Sequence, residues 1–349
     1  MNSIMNSITN IDSARLICGN SHPELCLEIS KKTNIKMIDC EVQYFSNGEI
    51  RPVIKESIRN KDIYIVQTGT FTKINSNYSI NDFIMETYLL VCTCNRSDAR
   101  SVTLIMPTYP YARQDKKDNP RGSISARDIA RLFELSGIKR IICLDLHTAQ
   151  IQGFFDIPCD NLYTHNLIKD KLDEWFNENS ILYNNDFTNN FVVISPDEGA
   201  VKKANSFASM MNLPLVVLGK ERNYKEKNTV DKVCIIGDKN LLIDKTAIII
   251  DDMCDTFGTI QKASNVLVEN GVKDVILCVT HGIFSGPAIS RMNETENVKL
   301  ILCSDSIPQN VNMTLCSKLK TYSIVDLLSS VVLRLIDGIS ISGLFDKEM

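Results

Sequence analysis

The strongest constraint on this chain is an alternation. Short apolar runs bounded by turn residues are separated by longer segments of helical period over most of its length. Such runs are buried strands, and strands alternating with helices build parallel α/β sheets. The expected strands are Ala14–Cys18, Asp62–Gln67, Val102–Met106, Arg140–Leu144, Phe191–Ser195, Leu215–Leu218, Ala247–Ile250, Val275–Val279 and Val298–Cys303. The expected helices are Pro23–Lys32, Asn81–Asn95, Ser125–Ser136, Ala200–Met211, Thr259–Asn270, Pro287–Asn293 and Ile324–Leu335. Both halves carry several strand–helix units, as though one α/β domain had been duplicated, and the boundary is placed near residues 160–165. The Asn-bearing stretches 69–81 and 176–190 read as surface loops.

A length of 349 residues suits two domains, each with its own core. A net charge of −4 supplies no long-range attraction for nucleic acid or an anionic membrane, so phosphate binding must be local. Twelve cysteines follow no zinc-ligand spacing, and Cys143, Cys234, Cys278 and Cys303 read as small buried hydrophobes of a reduced compartment. Met1–Asn10 lacks a basic segment followed by an apolar one, and no run is long enough to span a bilayer. A cytoplasmic protein is expected.

The most chemically informative stretch is Ala247-Ile-Ile-Ile-Asp-Asp-Met-Cys-Asp-Thr-Phe-Gly-Thr-Ile260. It reads as a buried strand, a turn and the first turn of a helix. A helix start exposes unpaired N–H groups and the positive end of its dipole, which suits a phosphate. Thr256 and Thr259 add hydroxyls, and Gly258 lets backbone approach an anion. Asp251 and Asp252 would repel that phosphate unless they held Mg²⁺ or accepted from sugar hydroxyls. Phosphate and diol together point to a ribose phosphate.

Further polar stretches follow other strands. Tyr109-Pro-Tyr-Ala-Arg113-Gln-Asp-Lys-Lys117-Asp118 offers arginine, whose planar fork suits polyphosphate. In Leu144-Asp-Leu-His-Thr148, Asp145 and His147 alternate at a strand end, which would point both into one cleft. With Asp197, Asp251 and Asp252, three strand ends carry acidic or imidazole groups, where parallel sheets border their ligands, and this suggests one site near the domain interface. Gly219-Lys-Glu-Arg-Asn-Tyr-Lys-Glu-Lys227 reads as a charged surface loop, and His281-Gly-Ile-Phe-Ser-Gly-Pro-Ala-Ile289 as a backbone-shaping turn.

Asp251–Thr259 resembles the ribose-5-phosphate loop shared by type I phosphoribosyltransferases and ribose-phosphate pyrophosphokinases. The loop alone does not choose between them. Tyr109–Asp118, the long stretch Leu144–Asp160, and the segments Phe45–Glu49, Ser195–Lys203 and His281–Ile289 are similar to the pyrophosphokinases in order and spacing, from about Leu16 to Phe345. That resemblance implies an α/β fold of two similar phosphoribosyltransferase-like domains, each a mainly parallel sheet flanked by helices. Residues 1–12 would be a flexible N-terminus, 13–162 the ATP-binding domain, 163–320 the ribose-5-phosphate domain, and 321–349 a C-terminal helix and tail packing back on the first domain.

The resemblance further implies transfer of the pyrophosphoryl group of Mg-ATP to O1 of ribose 5-phosphate. Catalysis would fall to Lys220 and Arg222, and ATP contact to Phe45, Asn47, Glu49, Arg113, Gln114, Asp118 and His147. The sugar phosphate would lie on Asp251, Asp252, Asp255, Thr256, Phe257, Gly258 and Thr259. Mg²⁺ would be held among Asp145, His147, Asp156, Asp160 and Asp197. A second, regulatory site for inorganic phosphate would use Ser57, Arg59, Arg121, Ser340 and Ser342 within a hexamer, with phosphate activating. A non-catalytic regulatory homologue is the other reading, and the uninterrupted Lys220-Glu-Arg222 speaks against it.

Overall fold

The computed structural model describes residues 11–70, 78–117, 119–179, 187–221 and 232–344. Residues 1–10 of the expected N-terminal segment, Asp118 and Arg222 lie outside them, as does most of the stretch 69–81. The chain forms two compact units. The first comprises Met1–Tyr163 with Ser306–Pro308 and Ser323–Met349, and the second Thr164–Asp305 with Gln309–Tyr322.

In the first unit, β1 (Ala14–Cys18) leads to α1 (Pro23–Thr33) and then to an antiparallel hairpin, β2 (Cys40–Tyr44) with β3 (Ile50–Ile54). There follow β4 (Asp62–Val66), α2 (Ile80–Arg96), β5 (Ser101–Ile105), α3 (Ser125–Ser136), β6 (Arg140–Leu144) and β7 (Cys159–Leu162). The sheet runs β1-β4-β5-β6-β7, wholly parallel. Its central strands β4, β5 and β6 are buried on both faces, as their near-continuous apolar runs required. The hairpin and β7 escape the periodicity argument, because their polar and half-exposed residues break any apolar run.

The second unit begins with α4 (His165–Glu178), α5 (Phe187–Asn190), β8 (Phe191–Ser195), α6 (Val201–Met211), β9 (Leu215–Glu221) and β10 (Lys232–Ile236). It continues through β11 (Thr246–Cys254), α7 (Gly258–Glu269), β12 (Asp274–Gly282), α8 (Ala288–Glu294), β13 (Val298–Ser304), α9 (Asn310–Leu315) and β14 (Leu319–Tyr322). Strand order is β10-β9-β8-β11-β12-β13-β14, parallel except for β10 against β9. From β8 the chain builds outward in one direction to β10, and from β11 in the other. The order therefore reverses between β8 and β11, and at such a reversal the loops leaving the two strands diverge and open a crevice.

The last helix, α10 (Val325–Ile336), belongs to the first unit and packs on α1, with Lys32 and Asp326 paired at 2.8 Å. Two loop readings change. Phe176 sits in α4 with its ring 4.8 Å from that of Phe191, so the stretch expected to be a loop starts as helix. Lys220 lies in β9, its backbone opposite Val233, not in a free loop. Cys143, Cys278 and Cys303 are buried, whereas Cys234 is half-buried with its thiol 3.6 Å from the Gly219 carbonyl. No helix among the described residues is long and apolar enough to cross a membrane.

Candidate active site

The reversal between β8 and β11 has acids on both sides. β11 does not stop at Ile250 but runs to Cys254, so Asp251 and Asp252 are strand residues, Asp251 opposite Val279. The Asp252 N–H donates to Asp251 Oδ1 at 2.9 Å. Burial, and then the negative charge of Asp252, push the Asp251 carboxyl well above the usual carboxylate range, with Asp197 adding to the shift. Asp197, just past β8, accepts from the N–H groups of Gly199 (2.9 Å) and Ala200 (3.1 Å), which fixes it at the entrance to α6. Three carboxylates from two strand ends thus crowd one crevice.

Past Cys254 the loop is anchored from below. Phe257 adopts a left-handed conformation (φ 62°) with its side chain 1 % exposed in the core. Its ring therefore anchors the loop from the core side. Ser285 Oγ donates to Asp255, and Arg291 Nη1 donates to the Thr256 carbonyl at 2.9 Å. A Cβ on Gly258 would lie 3.0 Å from Arg291 Nη1, so the loop lies against that arginine only because this residue is glycine. Thr256 and Thr259 stay exposed beside the start of α7, which no side chain caps. The turn after β12 buttresses this arrangement, since the N–H groups of Ile283 and Phe284 both donate to the Cys254 carbonyl at 3.0 and 3.1 Å.

In the first unit, the segment after β5 is held at several points. Tyr109 Oη donates to the Ala126 carbonyl at 2.8 Å, and Gln114 Oε1 accepts from Ser125 Oγ at 2.7 Å. Thr148 Oγ1 donates to Asp115 at 2.7 Å, which ties Arg113–Gln114 to the loop carrying His147. Both Arg113 and His147 are exposed. The strand-alternation argument for Asp145 and His147 fails, however. β6 ends at Leu144, and Asp145 takes φ 37° with its side chain buried, so the period of two is broken at that residue. Phe45-Ser-Asn-Gly-Glu49 is the tip of the β2–β3 hairpin, closed by Phe45 N–H to the Glu49 carbonyl at 2.9 Å. Phe45 is 45 % exposed, with the Arg51 guanidinium 5.2 Å from its ring centre.

Residues 14–137 match the N-terminal domain of ribose phosphate pyrophosphokinase, and residues 231–346 match the phosphoribosyl synthetase-associated domain. Ribose-phosphate pyrophosphokinase 4 of Saccharomyces cerevisiae is 38 % identical over 99 % of this chain and 98 % of its own length. Ribose-phosphate pyrophosphokinase 2 of Schizosaccharomyces pombe is 39 % identical over 96 % of this chain and 98 % of its own. The crystal structure of phosphoribosylpyrophosphate synthetase from Mycobacterium smegmatis superposes with a TM-score of 0.82 at 33 % identity, covering 93 % of this chain and 99 % of that one. The chain belongs to the ribose-phosphate pyrophosphokinase family. It is an enzyme with that family's fold of two phosphoribosyltransferase-like α/β domains.

Several residues assigned through this family are not gathered by the fold. Asp156 pairs with Arg131 at 2.8 Å and Asp160 with Arg140 at 2.5 Å. Among the described residues no three His, Cys, Asp or Glu side chains form a metal-holding group. Arg59 pairs with Asp98 at 3.1 Å, and Arg334 holds the Ser340 carbonyl at 2.7 Å. Ser57, Arg59, Arg121, Ser340 and Ser342 are all exposed, and the Ser342 N–H donates to Ser340 Oγ at 3.2 Å. Arg121 itself takes φ 65° in a turn closed from Gly122 to Asn119, with Pro120 ahead of it. Nothing local in the sequence marks Ser285 and Arg291, which brace the Asp255–Thr256 loop from another turn and helix.

Proposed function

We propose that this enzyme transfers the pyrophosphoryl group of Mg-ATP to O1 of ribose 5-phosphate, giving 5-phosphoribosyl 1-pyrophosphate and AMP. The observation that carries the reading is the Asp251–Thr259 cradle. It combines acids for sugar hydroxyls with an uncapped helix start and exposed threonine hydroxyls for a phosphate. The sugar's O1 attacks the β-phosphorus and the bond to AMP breaks, so the protein chiefly aligns the two groups and offsets developing charge. Arg113 and Gln114, with Phe45, Asn47 and Glu49, take the nucleotide. Lys220 and Arg222 supply the cations for the transition state.

The donor set fits Mg²⁺. A hard cation takes one or two carboxylates and completes its shell with phosphate oxygens and water, which suits separate acids better than a three-ligand protein cage. Asp145 with His147 after β6, and separately Asp197 after β8, are the residues that would hold such an ion. Its chemistry there is neutralisation of polyphosphate charge. We further propose self-association into a hexamer, with inorganic phosphate as activator. Ser57, Arg59 and Arg121, exposed on each chain, would then meet Ser340 and Ser342 across copies.

The test is to incubate the purified chain with Mg-ATP and ribose 5-phosphate and to follow AMP. AMP should form, and Lys220→Ala or Arg222→Ala should cut turnover by about 100-fold or more while leaving ribose 5-phosphate binding intact. An enzyme that binds both substrates yet forms no AMP, or near-normal turnover in both variants, overturns the reading.

A further inference from the structure

A fully buried carboxylate outside the site asks for an explanation, because ionised carboxyls are rarely left dry without a purpose. Glu86, midway along α2, is 0 % exposed. Its Oε1 accepts from the Asn20 N–H at 2.8 Å and from Gln67 Nε2 at 3.0 Å. Its Oε2 accepts from Tyr44 Oη at 2.8 Å and Asn20 Nδ2 at 3.3 Å. These donors come from three places: the loops leaving β1 and β4, and the last residue of β2. The network is closed behind them. Gln67 Oε1 accepts from the Ser21 N–H at 3.0 Å and Ser21 Oγ at 2.5 Å, and Ser21 Oγ accepts from the Thr68 N–H at 2.7 Å. A Cβ on Gly19 would stand 2.2 Å from Gln67 Oε1, so the close approach depends on glycine there.

Tyr44 is where this network reaches the hairpin. Its ring stacks on Tyr78 at 4.3 Å, just ahead of the capping box that opens α2, and its hydroxyl reaches Glu86 on the same helix. Tyr44 is the last residue of β2 and Phe45 follows it directly, so holding Tyr44 against α2 fixes where the chain enters the exposed tip. Among the described residues the hydrogen bonds of the hairpin tip are its own Phe45–Glu49 and Gly48–Phe45 turn contacts and Glu49 N–H to Asn47 Oδ1 at 3.1 Å. We infer that Glu86 is a positioning residue which, through Tyr44, fixes the orientation of the hairpin tip Phe45–Glu49 for the nucleotide base. The inference rests on the proposed ATP role of that tip.

Steady-state kinetics on the full chain separate the possibilities. Tyr44→Phe keeps the stacked ring and removes only the hydroxyl, so it remains informative even if Glu86→Gln folds poorly. Each variant should raise KM for ATP about tenfold, the cost of a lost hydrogen bond to a charged acceptor, with KM for ribose 5-phosphate within about twofold. The double variant should be no worse than the poorer single one, since both break the same link. A purely structural role would lower Tm and shift both KM values together, and that result overturns the inference, as does additivity. Phe45→Ala is the reference. If it raises KM for ATP while the other two do not, this inference falls alone. If it leaves KM for ATP unchanged, the base-binding reading falls and this inference with it.

Discussion

Glu86 and Asp251 are both enclosed carboxyls whose pKa is raised first by burial, yet their surroundings are opposite. Around Glu86 stand only donors, namely Asn20, Gln67 and Tyr44, each of which favours its charge. Around Asp251 stand other acids, Asp252 and Asp197, which oppose it. The first arrangement is complete without a ligand and ties three segments together. The second is electrostatically frustrated in the chain alone, and hydroxyl donors or a cation would relieve it. Burial alone, then, does not distinguish a structural carboxylate from a functional one; the polarity of its neighbours does.

The largest expected effect tests the functional half of that contrast. Asp252→Ala, titrated calorimetrically, should lose about 100-fold in affinity for ribose 5-phosphate while ATP binding changes by less than about threefold. An equal loss for both ligands would mean that the acids serve the fold and the contrast with Glu86 is empty. A smaller effect is expected on stability. In Mg²⁺-free buffer, Asp251→Asn removes a charge that Asp252 and Asp197 repel, so it should raise stability by about 1 kcal/mol while lowering activity. A fall in Tm would show that Asp251 is satisfied within the chain, as Glu86 is.

The smallest effect is a slope. Because burial raises the Glu86 pKa in the fold, its contribution is fully present below the unfolded carboxyl value of about 4.3 and is lost as pH rises through the folded value. Between about pH 4 and about pH 7 the wild type should therefore lose Tm relative to Glu86→Gln. The titratable groups facing Glu86 do not interfere. Cys40 is pushed up to about 11, chiefly by burial, and Tyr44 is pushed up by burial and by Glu86 itself. Parallel Tm curves would show that the donors fully offset burial.

The strand ends of the two sheets differ in how readily the sequence disclosed them. At β11 the apolar run, the acid pair and the Gly–Thr turn lie within one stretch, so strand, loop and helix start followed from local chemistry alone. At β6 the same kind of argument failed at Asp145, because one left-handed residue reverses what period two predicts and nothing local marks it. The pairing of Asp156 with Arg131 and of Asp160 with Arg140 joins residues from separate elements, and nothing local in the sequence marks it. β7 and β14 are short strands at sheet edges that escaped notice because their residues are only partly buried and polar side chains interrupt any apolar run.

By itself the sequence determined the α/β class, the central strands and most helices, because burial on both faces forces an apolar run and helix packing forces its period. It also determined the make-up of the Asp251–Thr259 loop, whose acids, hydroxyls and glycine are contiguous. Only the tertiary structure decided which carboxylates face donors and which face acids, where β8 and β11 part, and that Tyr44, Glu86, Asn20 and Gln67 form one network. The reason is physical. A residue's charge state and role depend on partners brought from distant positions, and those distances are set by packing, not by order along the chain.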